Sequence, residues 1–390
     1  MNKISDDWKI YKLGEMCRVK RNIYVPSPDD KRKYIGLEHI GQGTLSLVGV
    51  GDSTDVKSAK FSFKKGQILF GKLRPYFRKV VKPNFDGVCS TDILVIDAKE
   101  GFYNCFLFYF FANPEIVEEA TLSSEGTRMP RASWDYLSNL QRAIPPLIEQ
   151  KAIAKVLSDL DAKIELNQEM NKTIESIGQA LFKRWFVDFE FPDEKGNPYK
   201  SNGGEMVDSE LGEIPRGWNV GAIGDVVEIN SGKRPKEKLD NKKGAFQIPL
   251  IGASSIMGYV KETLYDEPIL IIGRVGTHGI VQRVVGPSFP SDNTLVIKSQ
   301  YYEYVYRILK GIDYNSLNVG TTQPLITQTG IKNIRIIIPE NGILHKFEQI
   351  ISKLYFRFEQ NRNEIGNLWQ IRDSLLPRLM SGKIRVEVDI

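Results

Sequence analysis

The sequence predicts an α+β protein built twice over: two mixed α/β domains joined by two long helices that pack as an antiparallel coiled coil about an approximate two-fold axis. Three observations lead there. The chain repeats itself at long period, each half ends in a heptad-patterned stretch long enough for one extended helix, and the remainder of each half carries short β-rich runs punctuated by Gly and Pro. Size agrees, because 390 residues exceed what one hydrophobic core holds.

The repeat opens with Trp8-Lys9-Ile10 and Trp218-Asn219-Val220, each followed by an apolar-Gly-acid phrase, Leu13-Gly14-Glu15 and Ile223-Gly224-Asp225. It continues with Ile68-Leu69-Phe70-Gly71-Lys72 against Ile269-Leu270-Ile271-Ile272-Gly273-Arg274, and with Ser90-Thr91-Asp92 against Ser291-Asp292-Asn293. From Gly126 onward the register is constant and free of gaps, pairing Gly126 with Gly320, Pro130 with Pro324, Ile144-Pro145 with Ile338-Pro339, Asn167 with Asn361 and Arg184 with Arg378. A register kept over that length is not a chance match.

The helices come next. In the first half apolar or small residues recur at Leu157, Leu160, Ile164, Ile174, Gly178, Leu181 and Trp185, with Asn167 and Asn171 interrupting. The second half repeats the seam at Ile351, Leu354, Phe358, Ile365, Leu368, Leu375 and Leu379, with Asn361 and Arg372 interrupting. Steps of three and four with polar residues between them make a heptad seam, and Pro145-Pro146 and Pro339 mark where the two helices begin. Two equal seams in one chain pack on each other most simply, with Asn167 and Asn361, matched in the repeat, fixing register as a buried polar pair does. The segment from Phe189 to Pro215 is long enough, at about 3.3 Å per residue, to return along a helix, so a parallel arrangement stays open beside the antiparallel one. Arg372 and Gly178 are expected to weaken the seam near its ends.

Domain boundaries follow: 1–145 and 205–338 as the two mixed domains, 146–204 as the first helix with its linker, and 339–390 as the second helix with the C-terminal tail. The β-rich runs Ile68-Leu69-Phe70, Ile93-Leu94-Val95-Ile96, Ile269-Leu270-Ile271-Ile272 and Leu295-Val296-Ile297 supply their strands.

Composition narrows the class. With 41% hydrophobic and 10% aromatic residues the chain fills cores and is not disordered. No apolar stretch approaches the length of a membrane span, and the acids of Asp6-Asp7 fall where a signal peptide would be apolar, so a cytoplasmic protein is expected. Cys17, Cys89 and Cys105 are scattered and lack metal or disulfide spacing, which points to reduced thiols. A net charge of +5 permits nucleic-acid binding without requiring it.

Enzyme motifs fail one by one. There is no P-loop. Gly273-Arg274-Val275-Gly276-Thr277-His278-Gly279 follows a short strand but leads into no helix, and Pro192-Asp193-Glu194-Lys195 is contiguous in a linker rather than split across a hairpin where two carboxylates share a metal. His39, His278 and His345 lack ligand spacing, and no nucleophile has a nearby base. Catalytic and metal-binding residues are therefore not expected in this chain.

Basic residues interleaved with aromatics remain. Lys72, Arg74 and Arg78 surround Tyr76-Phe77, and Arg128 and Arg131 flank Met129-Pro130; in the second half Lys233, Arg234, Arg274, His278 and Arg283, with Thr322 and Gln323, stand at the matching places. Lys and Arg neutralise phosphates, and Arg or Gln in a loop hydrogen-bonds base edges.

Over nearly its whole length the chain resembles the specificity subunit of type I restriction-modification systems. The resemblance rests on Ile144-Pro145-Pro146-Leu147-Ile148-Glu149-Gln150, Leu181-Phe182-Lys183-Arg184-Trp185-Phe186-Val187-Asp188-Phe189, Glu210-Leu211-Gly212-Glu213-Ile214-Pro215 and Leu375-Leu376-Pro377-Arg378-Leu379-Met380-Ser381-Gly382. It implies two target recognition domains, each reading one half of a split DNA sequence, with the coiled coil as the ruler between them. It also implies partners: two methyltransferase subunits that bring S-adenosylmethionine and methylate adenine, and restriction subunits that bring ATP and Mg. Two rival readings are a coiled-coil scaffold without a DNA role and a single-chain enzyme with an unrecognised site.

Overall fold

The computed structural model describes residues 7–124, 129–274, 280–314, 316–317 and 325–387. The chain divides into two units, Met1–Gln168 with Arg362–Ile390, and Glu169–Asn361. Each is built on a four-stranded antiparallel sheet. Across the sheet the order is Cys17–Lys20, Ile93–Ala98, Ile68–Gly71, Val80–Val81 in the first unit, and Glu228–Ser231, Thr294–Lys298, Ile269–Gly273, Val281–Val284 in the second. The β-rich runs of the sequence are the two central strands of each sheet. Ile68, Phe70, Leu94 and Ile96 enter one apolar cluster, while Leu69, Ile93 and Val95 enter another. The second unit divides Leu270, Ile272, Leu295 and Ile297 from Ile269, Ile271 and Val296 in the same way. Both faces of each sheet are covered, which is why these strands read as unbroken apolar runs.

On one face lie a short helix, Asn104–Ala112 or Tyr302–Gly311, and the long helices. The other face meets a second sheet that contains one parallel pair, Lys33–Ile35 with Gly87–Cys89 in the first unit and Ile248–Ile251 with Phe289–Pro290 in the second. A two-stranded pair completes each unit, Lys9–Lys12 with Gln141–Ile144 and Asn219–Ala222 with Arg335–Ile338. It joins the phrase that opens each repeat to the Ile-Pro phrase that enters each helix. Burial pushes the thiols of Cys17 and Cys89 up to about 12, so neither is a thiolate at neutral pH.

The long helices are Leu147–Phe182, extended by one wide turn at Lys183–Val187, and Asn341–Met380. In the first unit Asp161 meets Arg372 and Lys163 meets Glu364. In the second, Asn171 meets Asn361, Glu175 meets Tyr355, and the Phe182 ring meets that of Phe347. Within each unit, then, partners descend along one helix as they ascend along the other. Of the seam positions, Leu157, Ile164, Asn167, Ile174, Ile351 and Asn361 are buried, and Leu160, Leu181, Leu354, Phe358, Leu368 and Leu375 are half-buried. The expected pairing of Asn167 with Asn361 is corrected, because each finds its partner within its own unit: Asn167 donates to Glu364 at 2.9 Å and Asn361 to Asn171 at 2.9 Å.

Two further expectations are corrected. Arg372 does not loosen the seam: its side chain is 1% exposed, paired with Asp161 at 2.8 Å, and donates to the carbonyls of Thr44 and Gly43. Gly178 is not a gap either, since a Cβ there would lie 2.5 Å from Arg307 Nη2 and 2.9 Å from the Tyr355 hydroxyl. The segment after the first helix is anchored at its start: Phe189 and Phe191 are buried, and the Phe191 ring stacks on Trp218 at 4.9 Å. Among the described residues no helix is long and apolar enough to cross a membrane.

Candidate nucleic-acid interface

Strand pairing decides which basic residues share a place. Lys20 lies opposite Val95, and Gly71 opposite Ile93. The outgoing ends of Cys17–Lys20 and Ile68–Gly71 and the incoming end of Ile93–Ala98 therefore form one edge of the sheet, from which Arg21, Lys72 and Asp92 project. The second unit repeats this: Ser231 lies opposite Leu295 and Gly273 opposite Thr294, so Lys233, Arg234 and Arg274 follow the outgoing strand ends and Asn293 precedes the incoming one. The backbone ties agree to the atom. Lys72 N donates to Asp92 O at 2.9 Å and Ala132 N to Lys72 O at 2.8 Å; Arg274 N donates to Asn293 O at 2.9 Å and Ile326 N to Arg274 O at 3.0 Å.

Arg74, Lys233 and Arg234 are exposed, and Lys72 and Arg274 are half-buried. Arg74 N donates to Pro130 O at 2.8 Å, bringing the segment that follows Arg128 to the same edge. Arg131 is bound bidentately by Asp92, at 2.8 and 3.3 Å, an ion pair that holds the edge together. Arg128, His278, Thr322 and Gln323 lie outside the described residues. The structure thus gathers Lys72, Arg74 and Arg131 at one sheet edge and Lys233, Arg234 and Arg274 at the equivalent one.

Arg78 is placed elsewhere. Its side chain is 15% exposed, and it donates from Nε to Ala112 O at 2.6 Å and from Nη2 to Asp373 at 3.1 Å. Arg283, read from the sequence as a surface cation, is deeply buried: its guanidinium lies 3.5 and 3.4 Å from the ring centroids of Tyr306 and Tyr355 and bonds Glu303 at 2.6 Å and Glu175 at 3.2 Å. Arg307 adds a bond to Glu175 at 2.9 Å, Tyr355 donates to Glu175 at 2.6 Å, and Glu348 accepts from the Tyr304 N–H at 2.9 Å. Burial pushes Glu303 up to about 7 against the pull of Arg283. Burial also opposes ionisation of Glu175, but the Tyr355 hydroxyl and the two guanidiniums outweigh it and hold that carboxyl below its usual range. This network fastens the Tyr302–Gly311 helix to both long helices; it is framework, not surface.

Lys20 and Arg21 were missed by the sequence reading. The signal was present, since they end the first strand of their sheet as Lys233-Arg234 follow the first strand of theirs. Gln328 was missed as well; its amide donates to Ser231 at 3.0 Å, a contact between residues far apart in sequence. Chemically, each edge offers exposed cations beside rigid strand ends, and the second adds the Gln328 amide. Among the described residues no group of three His, Cys, Asp or Glu side chains is placed to hold a metal ion.

The chain matches the family described as "Type I restriction modification DNA specificity domain" over residues 5–176 and 215–368. It is 30% identical to the MjaIX type I restriction enzyme specificity subunit of Methanocaldococcus jannaschii, over 99% of this chain and 96% of that one. Identity to the HindI specificity subunit of Haemophilus influenzae is 26%, over 97% and 100% of the two chains. Among solved structures, the S subunit of a type I restriction-modification system from M. genitalium covers 97% of this chain and 97% of its own, with a TM-score of 0.62 at 16% identity, a likeness of fold.

Proposed function

This chain belongs to the type I restriction-modification DNA specificity family, and from that premise we propose that it directs adenine methylation and cleavage to a bipartite DNA target without performing either reaction. Residues 1–145 and 205–338 are the two recognition domains, each reading one half-site. Residues 146–204 and 339–390 carry the helices, which pack as an antiparallel coiled coil with pseudo-two-fold symmetry and set the gap between half-sites. Two methyltransferase subunits supply S-adenosylmethionine and methyl transfer, and restriction subunits supply ATP- and Mg-dependent translocation and cleavage, in the cytoplasm.

One observation supports this reading above the rest. Lys72 and Arg274 hold the same backbone position at the same edge of two separately built sheets, the arrangement expected of one scaffold that presents two surfaces to one kind of ligand. Phosphate contacts from Lys72, Arg74, Lys233 and Arg234 position the duplex, while Arg274 and the loops carrying Arg128, His278, Thr322 and Gln323 discriminate bases.

The ruler is the part to test. One extra heptad in each helix adds about 10 Å at 1.5 Å per residue, equivalent to about 3 base pairs at 3.4 Å each. Such a chain is expected to recognise unchanged half-sites at a longer gap. Altered bases at an unchanged gap would refute the ruler.

A further inference from the structure

Three of the non-glycine residues with positive φ fall on two turns of the first unit: Leu45 at 60°, Arg74 at 50° and Arg78 at 49°. The left-handed region is costly for such residues and persists only where the surroundings hold it. Adjacent residues of the second long helix do the holding. Arg372 donates to the carbonyls of Gly43 and Thr44, inside the first turn. Asp373 accepts from Arg78 at 3.1 Å and from Arg372 at 3.2 Å, fixing the end of the second turn. Between Arg74 and Arg78 the chain makes a single 3₁₀ turn, Pro75–Phe77, in which Tyr76 is half exposed.

We propose that Asp373 is a positioning residue for base recognition: through Arg78 it locks the Arg74–Arg78 turn, so a side chain on the spacer helix sets the fidelity with which the first unit reads its half-site. The inference rests on the bipartite reading above and deepens it. Arg78 acts on the protein rather than on DNA, and Arg74 and Tyr76 are the groups the turn presents. The sequence of the second unit carries no Arg and Asp at the matching places. In the repeat register Gln179 stands where the first unit has Asp373, and counting back from Val281, the match of Val80, the place of Arg78 falls on Gly279, which lies outside the described residues.

The test maps methylated adenines in cells that carry the methyltransferase subunit with either the parent chain or a variant. A chain whose residues 1–145 are exchanged for those of a relative identifies, by the half-site that changes, the one that belongs to the first unit. Asp373→Ala is expected to raise methylation at single mismatches in that half-site about tenfold, since one mismatch normally costs about 1–3 kcal/mol, and to leave the other half-site and the gap unchanged. Asp373→Asn, which keeps an acceptor for Arg78, restores most of the discrimination, Gln179→Ala changes nothing, and Arg78→Ala combined with Asp373→Ala is no worse than either alone. Unchanged discrimination in Asp373→Ala, or equal relaxation of both half-sites, would overturn the proposal while leaving the bipartite reading intact. A parent chain that yields no split motif would remove the reading and this inference together.

Discussion

The two units fasten the short helix of the mixed domain to the long helices at matched positions with different residues. In the first, Tyr109 of the short helix donates to Asp161 at 2.7 Å, and Arg372 of the second long helix fills the space between helix and turn. In the second, the repeat places Tyr355 where Asp161 was and Gly178 where Arg372 was. There the guanidinium comes from the short helix itself, as Arg307 beside Tyr355 and Glu175. The opening tryptophans differ likewise. Trp8 donates to Glu149 at 3.1 Å, and Arg385 binds that carboxylate at 2.6 Å. Trp218 is covered by the rings of Phe191, Phe189 and Phe186. What the repeat preserves is backbone pairing and filled volume; the chemistry that fills the volume is free to change, provided each buried polar group keeps a partner.

Emptying one lock has the largest expected effect. Arg372→Ala takes from Asp161 its cation and from the carbonyls of Gly43 and Thr44 their buried donor, and is expected to destabilise the first unit by about 3–5 kcal/mol in denaturant unfolding. Gly178→Ala attacks the second unit from the opposite direction, by adding volume. Arg307 and Tyr355 must shift, at an expected cost of about 1–3 kcal/mol.

A third experiment uses pH. Glu303 is raised by burial from 4.5 to about 7, so the folded second unit binds this proton more tightly than the unfolded chain does. Its contribution is fully present below about pH 4.5 and is lost as pH rises through about 7, up to about 3 kcal/mol over that window. Glu303→Gln is expected to remove this slope from unfolding curves at pH 5.5 and 8. A slope that survives the substitution would mean another group titrates. The smallest effect is the most specific: Arg74→Ala, at an exposed position, is expected to change stability by less than about 0.5 kcal/mol while lowering the salt slope of DNA binding by about one.

How far the sequence revealed the molecule depends on the range of each interaction. The central strands and the two long helices were legible because apolar periodicity is local. Arg78 and Arg283 were not legible, for one reason: a cation reads as surface until its partner is known. Asp373 lies 295 residues from Arg78, and Glu175 lies 108 from Arg283. The Lys72 and Arg274 equivalence was visible in sequence only because both follow a conspicuous apolar strand. Lys20 and Arg21, behind a weaker strand, passed unremarked.

If one scaffold, used twice, reads two half-sites, the DNA of the cell carries the record. A genome-wide adenine-methylation map by long-read sequencing, in cells with and without this chain beside its methyltransferase subunit, tests it most directly. One split motif with a fixed gap, appearing only with the chain, is expected. A continuous motif, or methylation indifferent to the chain while the two subunits still associate, would contradict it.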